Sequence, residues 1–90
     1  MKVLFKDLII NYRDSEVRCQ GYSIPFQKLN KFIRERYPQF MEGMQISKRF
    51  NSKTGVIERK YAWNAVWGNI NDAIGLNSVM RKMLALEGLI

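Results

Sequence analysis

Length, composition and charge set the first limits on what this protein is. Its 90 residues have room for one domain, and a content of 47% hydrophobic and 12% aromatic residues argues for a folded domain and against a disordered chain. One cysteine, Cys19, and no histidine exclude an internal disulfide, an ordinary zinc site and a histidine-dependent hydrolase, and they favour a reducing, intracellular setting.

The net charge of +7 lies in two short stretches. The first stretch, residues 28–36, carries one anion, Glu35, and four cations: Lys28, Lys31, Arg34 and Arg36. The second stretch, residues 48–60, carries one anion, Glu58, and five cations: Lys48, Arg49, Lys53, Arg59 and Lys60. A surface that only confers solubility mixes the two signs more evenly, so this segregation favours an anionic partner. The simpler alternative is a solvated basic face.

The N-terminal segment predicts a β-hairpin. Two alternating apolar runs flank the turn residues Asp14-Ser15; they are Leu8, Ile10 and Tyr12, then Val17 and Cys19. An N-terminal helix through Tyr12 is the alternative, although the β-branched residues favour strands. Lys6 and Asp7 interrupt the first apolar run, and no run approaches the ~18 apolar residues of a membrane span, so we expect no secretory leader, no membrane partner and a cytoplasmic protein.

A helix is expected next. Ser23 is a good capping residue and Pro25 is tolerated in a first turn, so the helix should begin there and end before Pro38. One face is apolar, formed by Phe26, Leu29, Phe32, Ile33 and Tyr37. The first basic cluster falls on the opposite, solvent-facing side.

The segment from Met44 to Tyr61 predicts a second hairpin, which we call the basic hairpin. Apolar and polar residues alternate on both arms, and Asn51 to Gly55 supply the turn, with Gly55 suited to a positive φ. Because the cations crowd near this turn, we expect a two-stranded basic ribbon that projects from the domain.

Two helices should complete the chain. The first runs from Trp63 to Ile74 and ends at Gly75, and Asn77 is the expected N-cap of the second. The pair partly matches a helix-turn-helix unit, whose exposed recognition side would carry Asn77, Ser78, Arg81 and Lys82. Because Asn71 and Arg81 depart from the helix-turn-helix pattern, an αα-hairpin that serves only packing is the favoured interpretation, and the helix-turn-helix unit is the alternative.

The basic hairpin is the main candidate for binding, since a two-stranded ribbon fits the major groove of DNA. The predicted nucleic-acid-binding residues are Lys48, Arg49, Asn51, Lys53, Arg59 and Lys60 on the hairpin, Lys28, Lys31 and Arg34 on the first helix, and Arg81 and Lys82 on the last. Ser52 and Thr54 add neutral donors at the tip. A base-stacking role for Phe50, Tyr61, Trp63 and Trp67 is weaker, because two tryptophans on an apolar helix face usually belong to the core.

One short pattern has catalytic chemistry. Glu58-Arg59-Lys60 has the E-x-K form of metal-dependent nucleases, which also requires a second acidic ligand such as Glu42 or Asp72. So short a pattern arises easily by chance. We therefore expect no catalytic residue, no metal and no cofactor.

The sequence thus predicts a single α+β domain over residues 1–90 that binds nucleic acid, with double-stranded DNA favoured, as a non-enzymatic regulatory or accessory protein, for example in transcription regulation. The alternative is a small interaction module or inhibitor that binds an acidic surface of a larger protein. Apolar residues near the C-terminus, Leu86, Leu89 and Ile90, make a homodimer a further expectation.

Overall fold

The computed structural model describes residues 2–5 and 8–90, and it confirms the predicted α+β class. The elements in chain order are β1 (Lys2–Phe5), β2 (Leu8–Asn11), β3 (Glu16–Cys19), β4 (Tyr22–Pro25), α1 (Phe26–Arg36), a short 3-10 turn (Pro38–Phe40), β5 (Gln45–Asn51), β6 (Val56–Tyr61), α2 (Trp63–Ala73) and α3 (Leu76–Leu86). Lys6 and Asp7, on which the expectation about a leader depends, lie outside the described residues.

The first sheet is an antiparallel meander with the strand order β1-β2-β3-β4. Leu8 lies opposite Cys19, and Ile10 lies opposite Val17, so the apolar residues of the predicted hairpin share one buried face. The hairpin prediction is therefore confirmed, and the alternative of an N-terminal helix is wrong. Tyr12 lies just beyond the end of β2, in the turn.

The sequence did not predict the outer strands β1 and β4. Strand β4 forms because Gln20 and Gly21, with φ of +52° and +83°, close a two-residue turn between the paired residues Cys19 and Tyr22. Ser23 therefore lies in a strand, where its hydroxyl bonds to the Glu16 carboxylate, and the predicted cap is wrong. Helix α1 instead begins after Pro25 without a side-chain cap.

The three helices cover the apolar face of this sheet and complete one cluster of buried residues. Leu29 and Ile33 of α1 are fully buried, as the apolar stripe predicted. Trp67 of α2 is 4% exposed, and its indole Nε1 donates a hydrogen bond of 3.0 Å to Oδ1 of Asn30 on α1. This bond satisfies the polar atom of a large core residue and fixes α2 against α1.

A tight connection joins α2 to α3. Gly75 has a φ of +86° and its amide donates to the carbonyl of Ile70, which confirms the predicted glycine at the helix end. The predicted N-cap at Asn77 is wrong, because α3 begins at Leu76. Asn71 supplies the polar contact instead, since its Oδ1 accepts from the Leu76 amide at 3.4 Å.

Candidate nucleic-acid interface

The basic hairpin forms a sheet of its own, made of β5 and β6. Its side chains from Ile46 to Phe50 and from Ser52 to Lys60 are exposed. Of the described residues, none between positions 42 and 65 is buried. Only its two ends, Met44 and Tyr61, pack against the core, so the packing of the domain does not dictate the sequence from 46 to 60.

The turn sets which side chains share a face of this hairpin. Gly55 has a φ of +70°, and its amide donates to the Asn51 carbonyl at 2.8 Å, as the turn residues predicted. Opposite residues of an antiparallel pair point to the same face. One face, which we call the Arg59 face, therefore carries two opposed pairs, Lys48 with Arg59 and Phe50 with Ile57.

The other face holds the acidic residue of these strands. Glu58 lies opposite Arg49, and its Oε1 accepts from Nδ2 of Asn51 at 2.8 Å. Oδ1 of Asn51 accepts from the Lys53 amide at 3.0 Å, so this predicted binding residue also builds the turn. Because Glu58 offsets part of the charge here, the Arg59 face is the more strongly cationic side of the ribbon.

The structure brings one cation of the first basic cluster to the Arg59 face. Arg34 of α1 places its guanidinium carbon 5.9 Å from the ring centroid of Tyr61 and 5.7 Å from that of Trp63. Arg34, Ile57, Arg59 and Tyr61 line one open concavity, together with Glu58. No ion pair of Arg34 is found among residues 8–90, so its guanidinium stays available to an anion.

The rest of that cluster lies elsewhere. Nζ of Lys28 is 2.7 Å from Oε1 of Glu87, just beyond α3. Lys31 and Arg36 line a groove between α1 and α3, where Glu35 and Glu87 supply negative charge. The two basic clusters of the sequence therefore meet only through Arg34, and Lys28 and Lys31 belong to a surface of mixed sign.

The last helix presents Arg81 and Lys82 at exposed positions. Two further features differ from the helix-turn-helix expectation. Ile74 is 45% exposed, and Asn77 accepts a hydrogen bond from the buried Cys19 thiol, with a distance of 3.4 Å from Sγ to Oδ1. This geometry favours the αα-hairpin, since a recognition helix needs Asn77 to be free for bases.

The four candidate stacking aromatics have separate positions. Trp67 is in the core with Phe26, at a centroid distance of 4.7 Å. The ring centroids of Tyr61 and Trp63 lie 5.8 Å apart, and both rings face the guanidinium group of Arg34. Phe50 is 63% exposed, which makes it the most exposed of the four.

The pairing of Phe50 with Ile57 was missed at the sequence level. Counting outward from the turn that ends at Gly55 would have revealed it, because the turn makes Asn51 and Val56 the closing pair. The contact of Arg34 with Tyr61 has no comparable local signal.

The acidic residues of the E-x-K hypothesis lie on three different segments of the chain. Glu58 is on β6, Glu42 is in the loop before β5, and Asp72 is on α2. In the part of the chain that the structure describes, no three acidic or cysteine side chains are grouped to hold a metal ion.

Comparison with protein-family models, with curated proteins and with solved structures finds no match to this chain. Across the described residues, no helix combines the length and the hydrophobicity that crossing a bilayer requires.

Proposed function

We propose that this protein is a non-enzymatic nucleic-acid-binding protein that contacts double-stranded DNA through the Arg59 face of the basic hairpin. The observation that carries the proposal is the opposed pair of Lys48 and Arg59 on an exposed ribbon, extended by Arg34 from α1. A ribbon that the core does not need, but that carries cations together with apolar side chains, is expected to have a partner.

The dimensions of the ribbon support a duplex as that partner. Two strands about 4.8 Å apart, with their side chains, fit a major groove about 12 Å wide. The six residues of β6 span about 20 Å at about 3.4 Å per residue, which is long enough to follow a groove from its edge to its floor. Lys48, Arg59 and Arg34 would then neutralise phosphates along one side, and each neutralised phosphate releases counterions.

The test is the salt dependence of binding to a mixed-sequence duplex, measured by fluorescence anisotropy between about 50 and 200 mM salt. We expect log K to fall steeply with log[salt], and Arg59→Ala to lower the slope by about one. Arg13→Ala is the matched control, because it removes the same charge from the turn between β2 and β3. Failure to bind the duplex at low salt would contradict the proposal.

A second candidate is a module that docks on an acidic protein. Ile46 and Val56 are 63% and 57% exposed, and the outer edges of both strands have no strand partner among the described residues, so a protein strand could add to the ribbon. This candidate predicts recovery of one acidic protein from nuclease-treated lysate. Recovery that disappears after nuclease treatment would count against it.

A further inference from the structure

We propose that Phe50 and Ile57 form an apolar wedge that enters between base pairs of the bound duplex and bends it. This inference rests on the proposed function and specifies how the Arg59 face contacts DNA. Proteins that deform DNA from the minor groove commonly insert phenylalanine or isoleucine side chains at a base step, which unstacks the step and bends the helix. The proposed wedge would act on the base stack in the same way from the floor of the major groove, in which the ribbon fits.

The position of the pair on the ribbon suits this role. Phe50 and Ile57 lie directly opposite each other, one pair below the Asn51–Val56 pair that closes the turn. They are 63% and 49% exposed, although both are large apolar side chains. Two adjacent, exposed apolar groups near the end of a projecting ribbon can reach a base stack without any movement of the core.

Lys48 and Arg59 lie at a distance from the wedge that suits contacts with DNA phosphates. Lys48 and Arg59 form the opposed pair two residues further from the turn, which places them about 7 Å along the strands from the wedge. In a ribbon that runs from the edge of the major groove to its floor, about 8.5 Å deep, this offset places the cations near the phosphates at the edge when the wedge is at the floor. Contacts with those phosphates would hold the ribbon while the wedge enters.

The charge of the Arg59 face favours DNA over a second copy of the chain as its binding partner. Lys48 and Arg59 lie on the same face as the apolar pair, and Arg34 lines a concavity with Ile57 and Arg59, where Glu58 offsets one of these three positive charges. Two copies that met through the Arg59 face would bring cations against cations. A duplex instead offers phosphates to the cations and an apolar base stack to the wedge.

Bending makes affinity depend on how easily the DNA deforms. A central mismatch or a flexible pyrimidine–purine step lowers the cost of unstacking. We therefore expect the protein to bind a duplex with a central mismatch about tenfold more tightly than the fully paired duplex. Phe50→Ser combined with Ile57→Ser should remove most of this preference, while binding through the cations persists.

The experiment measures energy transfer between dyes at the two ends of a duplex of about 30 base pairs, alongside anisotropy for binding. The unmodified protein should bind and increase the transfer. The Phe50→Ser, Ile57→Ser variant should bind without the increase. Val56→Ser is the matched control, because the exposure of Val56 lies between those of Phe50 and Ile57 but its side chain is on the opposite face, and this variant should bend DNA normally. Circular dichroism of each variant verifies the fold.

The outcomes separate this inference from the function on which it rests. Binding without any change in energy transfer, or equal bending by the double variant, would overturn the wedge and leave DNA binding intact. No binding at all would overturn the proposed function. A self-associated wild-type protein that becomes monomeric in the double variant would show that the apolar pair is a dimer contact, and this also would overturn the wedge.

Discussion

Arg34 of helix α1 lies over the ring of Tyr61 at the base of the basic hairpin, with 5.9 Å between the guanidinium carbon and the ring centroid. Together with the packing of Met44 and Tyr61 against the core, the contact joins the domain to a ribbon whose residues 46–60 lie outside the core. It also places a cation in the same concavity as Arg59, where the two aromatic rings restrict the side chain of Arg34. A cation held in this way loses less side-chain entropy when it binds a phosphate.

Replacement of Arg34 should therefore weaken DNA binding. We expect Arg34→Ala to lower the salt-dependence slope by about one, as for the loss of one phosphate contact. Lys28→Ala is the control on the same helix, since Lys28 is paired with Glu87 and should leave the slope unchanged. Anisotropy titrations at several salt concentrations measure both. Equal effects of the two substitutions would contradict the assignment of Arg34 to the interface.

The hydrogen bond between Trp67 and Asn30 should contribute to stability. Asn30→Ala leaves the indole N–H of a buried side chain without its acceptor, so we expect the free energy of unfolding to fall by about 1–3 kcal/mol. Gln27→Ala, at an exposed position of the same helix, should change it by less than about 0.5 kcal/mol. Urea denaturation monitored by tryptophan fluorescence compares the two, and a similar small effect of both would contradict the structural role of this bond.

Two glycines on either side of the end of α2 should respond to alanine in opposite directions. Gly75 has a φ of +86°, so Gly75→Ala should lower the free energy of unfolding by about 1–2 kcal/mol. Gly68 lies inside α2, and a methyl group there would meet open space, so Gly68→Ala should raise it by about 0.5–1 kcal/mol. Thermal unfolding gives the sign of each change. Destabilisation by Gly68→Ala would contradict the helical environment described here.

The basic hairpin should be dispensable for folding. Gln45 and Tyr61 lie opposite each other, so an Asn-Gly turn can replace residues 46–60 and join the two strand ends. We expect the shortened protein to unfold cooperatively within a few degrees of the intact one, because the removed residues are all outside the core. Loss of cooperative unfolding on calorimetry would show that the ribbon supports the domain.

The sequence predicted those features that depend on neighbouring residues. Alternation of Val17 and Cys19 indicated a strand, and Gly55 indicated the turn that fixes the register of the basic hairpin. Where one local pattern fits two structures, the prediction was wrong. Ser23 before Pro25 suits a helix start, but a turn at Gln20 and Gly21 directs the segment into the sheet. The contact of a strand with its neighbour outweighed the capping preference.

Features that depend on the packing of distant elements were beyond the reach of the sequence. Lys28 and Arg34 belong to one run of charge, yet Lys28 pairs with Glu87 whereas Arg34 contacts Tyr61. Their separation follows from how α1 crosses α3 and the hairpin, and helix packing of this kind has no signature in local spacing. The sequence therefore indicated the hairpin residues of the candidate interface. Of the cations predicted on α1, the structure places only Arg34 beside them.

The most direct test of the central claim compares duplex binding by the intact protein and by the variant in which an Asn-Gly turn replaces residues 46–60. Both are titrated against the same mixed-sequence DNA at low salt, after calorimetry has shown that the variant is folded. We predict that the intact protein binds and that the shortened one loses nearly all affinity. Retention of the affinity and the salt dependence of the intact protein by the folded, shortened variant would contradict the assignment of DNA binding to the basic hairpin.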